Sequence, residues 1–202
     1  MRTPSTKTRR LIVFGVGPLA IIAAGLLVWS ASTAAFTAQT RNVGSNWDTG
    51  SVTLSDDDLG AAAFQLTNVT PGETGSQCIR VTSTSSVAGT VKLYIDRLGA
   101  QGLENNIMIS TELGDGGTFG NCSSFVATSP PLASVTLANA ATAYAGYATG
   151  VLPWATTGDA TGEYKTYRVT WVFDTTGLSQ TDIDALQGKS VSADVVWELQ
   201  SK

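Results

Sequence analysis

Apolar and polar residues alternate with a period of two in three long runs. In Thr90-Val91-Lys92-Leu93-Tyr94-Ile95-Asp96, Val91, Leu93 and Ile95 share one face, with Lys92, Tyr94 and Asp96 on the other. From Tyr167 to Asp174, Tyr167, Val169, Trp171 and Phe173 point one way, and Arg168 and Thr170 the other. Near the C-terminus, Val191, Ala193, Val195, Trp197 and Leu199 alternate with Ser192, Asp194 and Glu198. This period is that of half-buried antiparallel strands. Shorter candidates are Ser51–Leu54, Ala61–Leu66, Gln77–Ser83, Asn106–Glu112 and Ser134–Ala138. Between them fall Thr70-Pro71-Gly72-Glu73, where proline presets a turn and glycine accepts positive φ, and the break Gly114-Asp115-Gly116-Gly117. The one helical signal is Ser179-Gln180-Thr181-Asp182, a capping-box variant that leads through Ile183–Leu186 to Gly188.

Seven or eight strands between residues 35 and 202 predict an all-β fold. The expected form is an antiparallel β-sandwich of jelly-roll or immunoglobulin-like type, with one short helix before the last strand. Residues 127–163 are rich in Ala, Thr and Gly with weak periodicity, and read as a long excursion joining the two halves.

The N-terminus breaks this pattern. Arg2, Lys7, Arg9 and Arg10 precede Leu11–Trp29, an uncharged and mostly apolar run long enough to span a bilayer as a helix. Small residues follow in Ser30-Ala31-Ser32-Thr33-Ala34-Ala35, and a signal peptidase would cut between Ala34 and Ala35. The expectation is a leader over residues 1–34, either removed or kept as an anchor, and an extracellular domain over 35–202. The basic end stays inside in both cases, and the membrane is met only through the leader.

Charge and composition then remove whole classes of function. Taking the four basic leader residues from the total of 12 leaves 8 against 16 acidic side chains. Such a body repels phosphates, so nucleic acid is not an expected partner. The chain has no histidine, which excludes Ser-His-Asp and Cys-His nucleophiles and the HExxH zinc site. No cofactor is expected. The two cysteines, Cys78 and Cys122, lie in an exported domain, where a pair most often forms a structural disulfide; metal or redox use needs more ligands or a CxxC.

The remaining candidates each have a plain reading beside the chemical one. Asp48-Thr49-Gly50 spells the aspartic-protease triplet, but no second copy is present, and a turn is the simpler account. Asp56, Asp57 and Asp58 offer oxygen ligands for calcium, yet the EF-hand spacing is missing, and a solvated acidic loop is preferred. Gly114–Gly120 lacks the lysine of a phosphate loop and reads as a flexible connection. Asn68-Val69-Thr70 and Asn121-Cys122-Ser123 are formal glycosylation triplets. Trp171 and Trp197 fall on inward faces, which leaves Trp47 and Trp154 for a carbohydrate platform. Trp154, beside Pro153, is the one expected to be exposed.

Several stretches together resemble the TasA/camelysin family of exported bacterial surface and biofilm-matrix proteins. They are the leader exit Trp29…Ala34-Ala35-Phe36-Thr37, the segment Asn46–Leu54, the run Phe64–Glu73 with its Pro-Gly turn, Val87–Ile95, and Leu186–Val191 with Trp197-Glu198. Residues 97–163 take no part. The resemblance implies a jelly-roll-like sandwich, a dedicated signal peptidase as partner during export, and self-association into fibres or with other matrix subunits. It also implies that a freed N-terminal strand, here within Ala35–Asn46 and beginning Ala35-Phe36-Thr37-Ala38-Gln39-Thr40, completes the sheet of the next subunit. The family's metallo-endopeptidase label does not carry over to a chain without histidine. The alternatives are a peptidase working through carboxylates alone and a glycan-binding surface adhesin.

Overall fold

The computed structural model of the chain describes residues 37–40, 51–59 and 69–201. The leader, the Ala34/Ala35 cleavage site, Trp47, Asp48-Thr49-Gly50, the strand expected at Ala61–Leu66 and Asn68 lie outside the described residues.

The described chain is all-β, with antiparallel strands in two sheets that enclose a common core. In chain order the strands are β1 (Thr37–Thr40), β2 (Leu54–Asp56), β3 (Thr74–Ser83), β4 (Gly89–Gln101), β5 (Ile107–Asp115), β6 (Val126–Ala127) and β7 (Val135–Thr136). Helix α1 (Leu137–Ala143), a 3-10 turn at Tyr147–Thr149, β8 (Val151–Thr156), β9 (Glu163–Phe173), α2 (Gln180–Ala185) and β10 (Ser190–Ser201) follow. One sheet has the order β1-β10-β4-β8. The other has the order β2-β3-β9-β5-β6, with β7 also paired to β5.

The two-residue period sets the layers. On β9, Tyr167, Val169, Trp171 and Phe173 are buried, as are Trp197 and Leu199 on β10 and Val91, Leu93 and Ile95 on β4. Each large apolar side chain taken from water contributes about 1.5–3 kcal/mol. The sheets meet through these faces: the rings of Tyr167 and Trp197 sit 5.7 Å apart at 56°, a tilted geometry favoured by the ring quadrupoles. The Tyr167 hydroxyl donates to Leu152 O at 3.2 Å, and burial pushes its pKa up. A second core group, Ile95, Leu103, Ile107, Leu137, Ala140, Trp171 and Phe173, brings α1 into the packing.

A bulge adjusts the phase between the longest strands. Val195 faces Ile95, whereas Asp194 faces Arg97, so Asp96 has no opposite number on β10. The extra residue turns β4 by one position. Ile95 before it and Leu98 after it therefore both reach the second core group, although they are an odd three positions apart.

Several expectations are corrected here. The strand expected at Ser51–Leu54 forms instead at Leu54–Asp56, and β1 at Thr37–Thr40 precedes it. Residues 51–53 are held instead by the β3–β4 turn: Ser86 N donates to Ser51 O, Thr84 N to Thr53 O, and Thr53 N to the Ser85 hydroxyl. Ser134–Ala138 is a strand only at Val135–Thr136, because Thr136 caps a helix there, its side chain accepting from Asn139 N at 3.2 Å. The sequence thus holds a second helix besides the expected one. That one forms as α2, with Ser179 and Asp182 exchanging both capping-box bonds. The stretch 127–163 is no plain excursion, since it contains α1 and strand β8.

Candidate functional site

With no histidine and few charged side chains, the chemistry most available to this fold is that of its sheet edges, where backbone N–H and C=O groups lack partners. Among the described residues, three of the four sheet edges are blunted. Edge strand β8 carries the exposed Pro153, which has no N–H to offer, and Leu152 beside it takes a φ of +48°. Along β5 run only the two-residue strands β6 and β7, with Pro130 and Pro131 between them. Edge strand β2 is three residues long and leads directly into Asp57 and Asp58.

The fourth edge differs. Strand β10 has 12 residues, all of them paired to β4 on one side. On its other flank β1 pairs antiparallel over four positions, Thr37 with Gln200, Ala38 with Leu199, Gln39 with Glu198 and Thr40 with Trp197. Among the described residues no strand lies on that flank beside Val191–Val196. A strand of four residues near the N-terminus therefore sits on the one long edge among the described residues that carries no proline.

The outer face of the same sheet holds a polar cluster that the alternation alone did not reveal. Glu198 and Tyr94, both expected on a solvated face, are only 4% exposed. The Tyr94 hydroxyl donates to Glu198 Oε2 at 2.8 Å, and Gln200 Nε2 donates to Oε1 at 2.9 Å. The Lys92 ammonium stands 4.7 Å over the Tyr147 ring and donates to Tyr147 O, and the Tyr147 hydroxyl donates to Thr90 O. Burial, then the Glu198 charge, raises the Tyr147 pKa. These contacts fasten the Tyr147 turn over the start of β4.

Of the three aspartates, Asp56 and Asp58 are hydrogen-bonded to each other, and Asp57 turns to other partners. Asp57 points its oxygens at two backbone donors, Arg80 N at 2.8 Å and Phe119 N at 2.7 Å, which uses it as a structural clamp. Burial pushes the Asp56 pKa up to about 6, helped by a hydrogen bond and charge repulsion from Asp58. Among the described residues no group of three or more acidic or cysteine side chains is placed to hold a metal ion.

Cys78 and Cys122 form a disulfide, with Cα atoms 5.4 Å apart. It pins the glycine-rich loop to the outer face of β3. The loop is far from slack: Gly116 and Gly117 take φ of +74° and +69°, Gly117 N donates to the Ser124 hydroxyl, and Gly117 O accepts from Arg80 Nη2. A side chain at Gly116 would collide with Ser124 O, which explains the glycine. Arg80 stacks at 4.5 Å on Tyr164, and Arg168 at 4.6 Å on Phe125 while bonding Glu112. In the turn Asp174–Gly177, the Thr176 hydroxyl and then Thr176 N, both donating to Asp174, lower its pKa. Asn121 lies in a tight turn, its side-chain oxygen accepting from Ser123 N.

Trp154 contradicts its expected exposure: it is 7% exposed and belongs to the core with Leu152. Leu152, Trp154 and Thr156 alternate inward, so the tryptophan named as a sugar platform is a packing residue.

No family model matches the chain, and no curated protein matches it. What the geometry defines is a class: an antiparallel two-sheet, disulfide-clamped β domain with a single long edge under a short N-terminal strand.

Proposed function

We propose that this is an exported, non-catalytic structural protein of a bacterial cell surface or biofilm matrix, and that it assembles by exchange of its N-terminal strand. One observation carries the reading. The four-residue β1 occupies a third of the twelve-residue β10 flank, while the other edges are blunted by prolines, brevity or acidic residues. A short strand on an edge contributes few hydrogen bonds, so β1 of one copy can be replaced by the same segment of another at little net cost. Main-chain pairing then supplies affinity, and side-chain alternation supplies specificity. Release of the segment at an Ala34/Ala35 cut would give it the reach to leave its own domain. The sandwich is read as jelly-roll-type, in keeping with the resemblance to the TasA/camelysin family.

Electron microscopy tests this on the chain beginning at Ala35 beside one lacking residues 35–46. Filaments from the first and none from the second are expected. Separate particles from both, at every concentration and pH tried, would remove the fibre reading. A glycan-binding role loses its named residue, because Trp154 is buried.

A further inference from the structure

Strand β1 has a second neighbour. Strand β2 closes the same side of the sandwich from the opposite sheet and lies against β1. We propose that the strap Leu54–Leu59, which begins with β2, is a clasp over β1, and that Asp57 is its lock. The identity of β1 as an exchangeable strand rests on the function proposed above; the coupling of β1 to the strap does not.

The strap is anchored far more firmly than the strand beside it. At its start, residues 51–53 exchange backbone and hydroxyl bonds with Thr84, Ser85 and Ser86. Val52 and Leu54 pack on the core. At its end one side chain makes two attachments. Asp57 Oδ1 accepts from Arg80 N in β3 and Oδ2 from Phe119 N in the glycine-rich loop, while Asp57 N donates to Arg80 O at 3.1 Å. Backbone bonds to a carboxylate are among the stronger ones, and this pair joins three chain segments. The disulfide fixes the loop itself to Cys78, two residues before Arg80. A continuous line of contacts therefore runs from the disulfide through Phe119 and Asp57 to β2, and from β2 to β1.

In contrast, β1 is held on β10 by a ladder of four positions. A strand so short opens easily unless its other side is covered. Removing Asp57 frees the end of the strap, uncovers that side, and speeds the release of β1. In an assembling protein, Asp57 would then set how readily the strand leaves its own domain.

Hydrogen exchange followed by mass spectrometry on the full chain tests the coupling. In D57A, the amides of Thr37–Thr40 should exchange at least tenfold faster than in the native chain. Those of Leu54–Asp56 should do likewise, with Val151–Thr156 in β8 unchanged. Faster exchange confined to β2, with β1 as protected as before, would overturn the proposal. The native chain supplies a test that needs no variant. In urea below the unfolding transition, the β1 and β2 amides should open together with one denaturant dependence, and earlier, independent opening of β1 would equally overturn it. Absence of filaments from the processed chain removes the fibre reading and leaves this coupling standing. Unchanged β1 protection in D57A does the reverse.

Discussion

Replacing Thr166 by valine should make the domain more stable, which is an unusual direction for a fully buried residue. Thr166 is 0% exposed on the outer face of β9, paired with Arg80 on β3 and Gly114 on β5. Its hydroxyl has no hydrogen-bond partner, and neither has the neighbouring Arg80 Nε. A hydroxyl buried without a partner costs about 1–3 kcal/mol. Valine has the same branched shape, removes that cost, and suits a strand at least as well as threonine. The Thr166 methyl group lies on the Gly117 side, 3.5 Å from where a Cβ at that glycine would stand, and valine keeps that methyl. The net gain expected is about 1 kcal/mol, or roughly 2–4 °C in Tm for a domain of this size. Urea and thermal unfolding of the full chain check it, with T166S as the control that keeps the hydroxyl and loses the methyl group. T166S should be the less stable of the two by about 1–2 kcal/mol. A loss of more than 1 kcal/mol in T166V would refute the reasoning, because it would mean that the hydroxyl is satisfied and contributes to the fold.

Three further outcomes follow from the same geometry. Replacing both Cys78 and Cys122 by serine releases a closure of 44 residues and should lower stability by about 4 kcal/mol in unfolding experiments. Asp56 titrates near 6 in the folded chain, above its ordinary 3.8, so its contribution to stability is present below pH 4 and is lost as pH rises to about 6. D56N should therefore match the native chain at pH 4 and exceed it at pH 7 by about 1 kcal/mol, the shift being discounted because Asp56 is half-exposed to screening solvent. Parallel stability curves at the two pH values would contradict this. W154A should cost about 3–5 kcal/mol by opening a cavity among Leu152, Tyr167 and Val91. A neutral effect would return Trp154 to the surface.

The central strands were legible because a single force decides them. Strands β4, β9 and β10 each turn a row of odd-numbered apolar residues into the core, and the alternation says so directly. The Ser179 capping box was equally plain, since cap and helix lie within one turn of chain. Strand β8 was hidden by Pro153, which demotes a run to an edge or a loop, and β8 is indeed an edge. Helix α1 was hidden because Leu137-Ala138-Asn139-Ala140 has no strong apolar stripe. Its helicity comes from the Thr136 cap and from Leu137 and Ala140 packing below the sheets. The burial of Glu198 was not legible at all. Alternation assigns a side chain to a face and says nothing of what covers that face, here including a tyrosine from the same sheet whose hydroxyl meets the carboxylate.

The same limit applies to the candidate site, for an edge is a property of strand order. Nothing in Thr37–Thr40 or in Trp197–Gln200 marks them as neighbours, being separated by most of the chain, and the pairing follows from β10 running between β1 and β4. The blunting residues are visible, yet Pro130, Pro131, Pro153 and the acidic run Asp56-Asp57-Asp58 mark no edge until the sheets place them at one. Once placed, they share one consequence. Proline removes the donor that an added strand would need, a three-residue strand offers too few positions, and a half-buried carboxyl resists being covered further. Among the described residues only the β10 flank escapes all three, and there the occupant is the first described segment of the chain. In the function proposed above, an arrangement that blocks random edge pairing elsewhere, and leaves one edge under a short strand, would direct association to a single register.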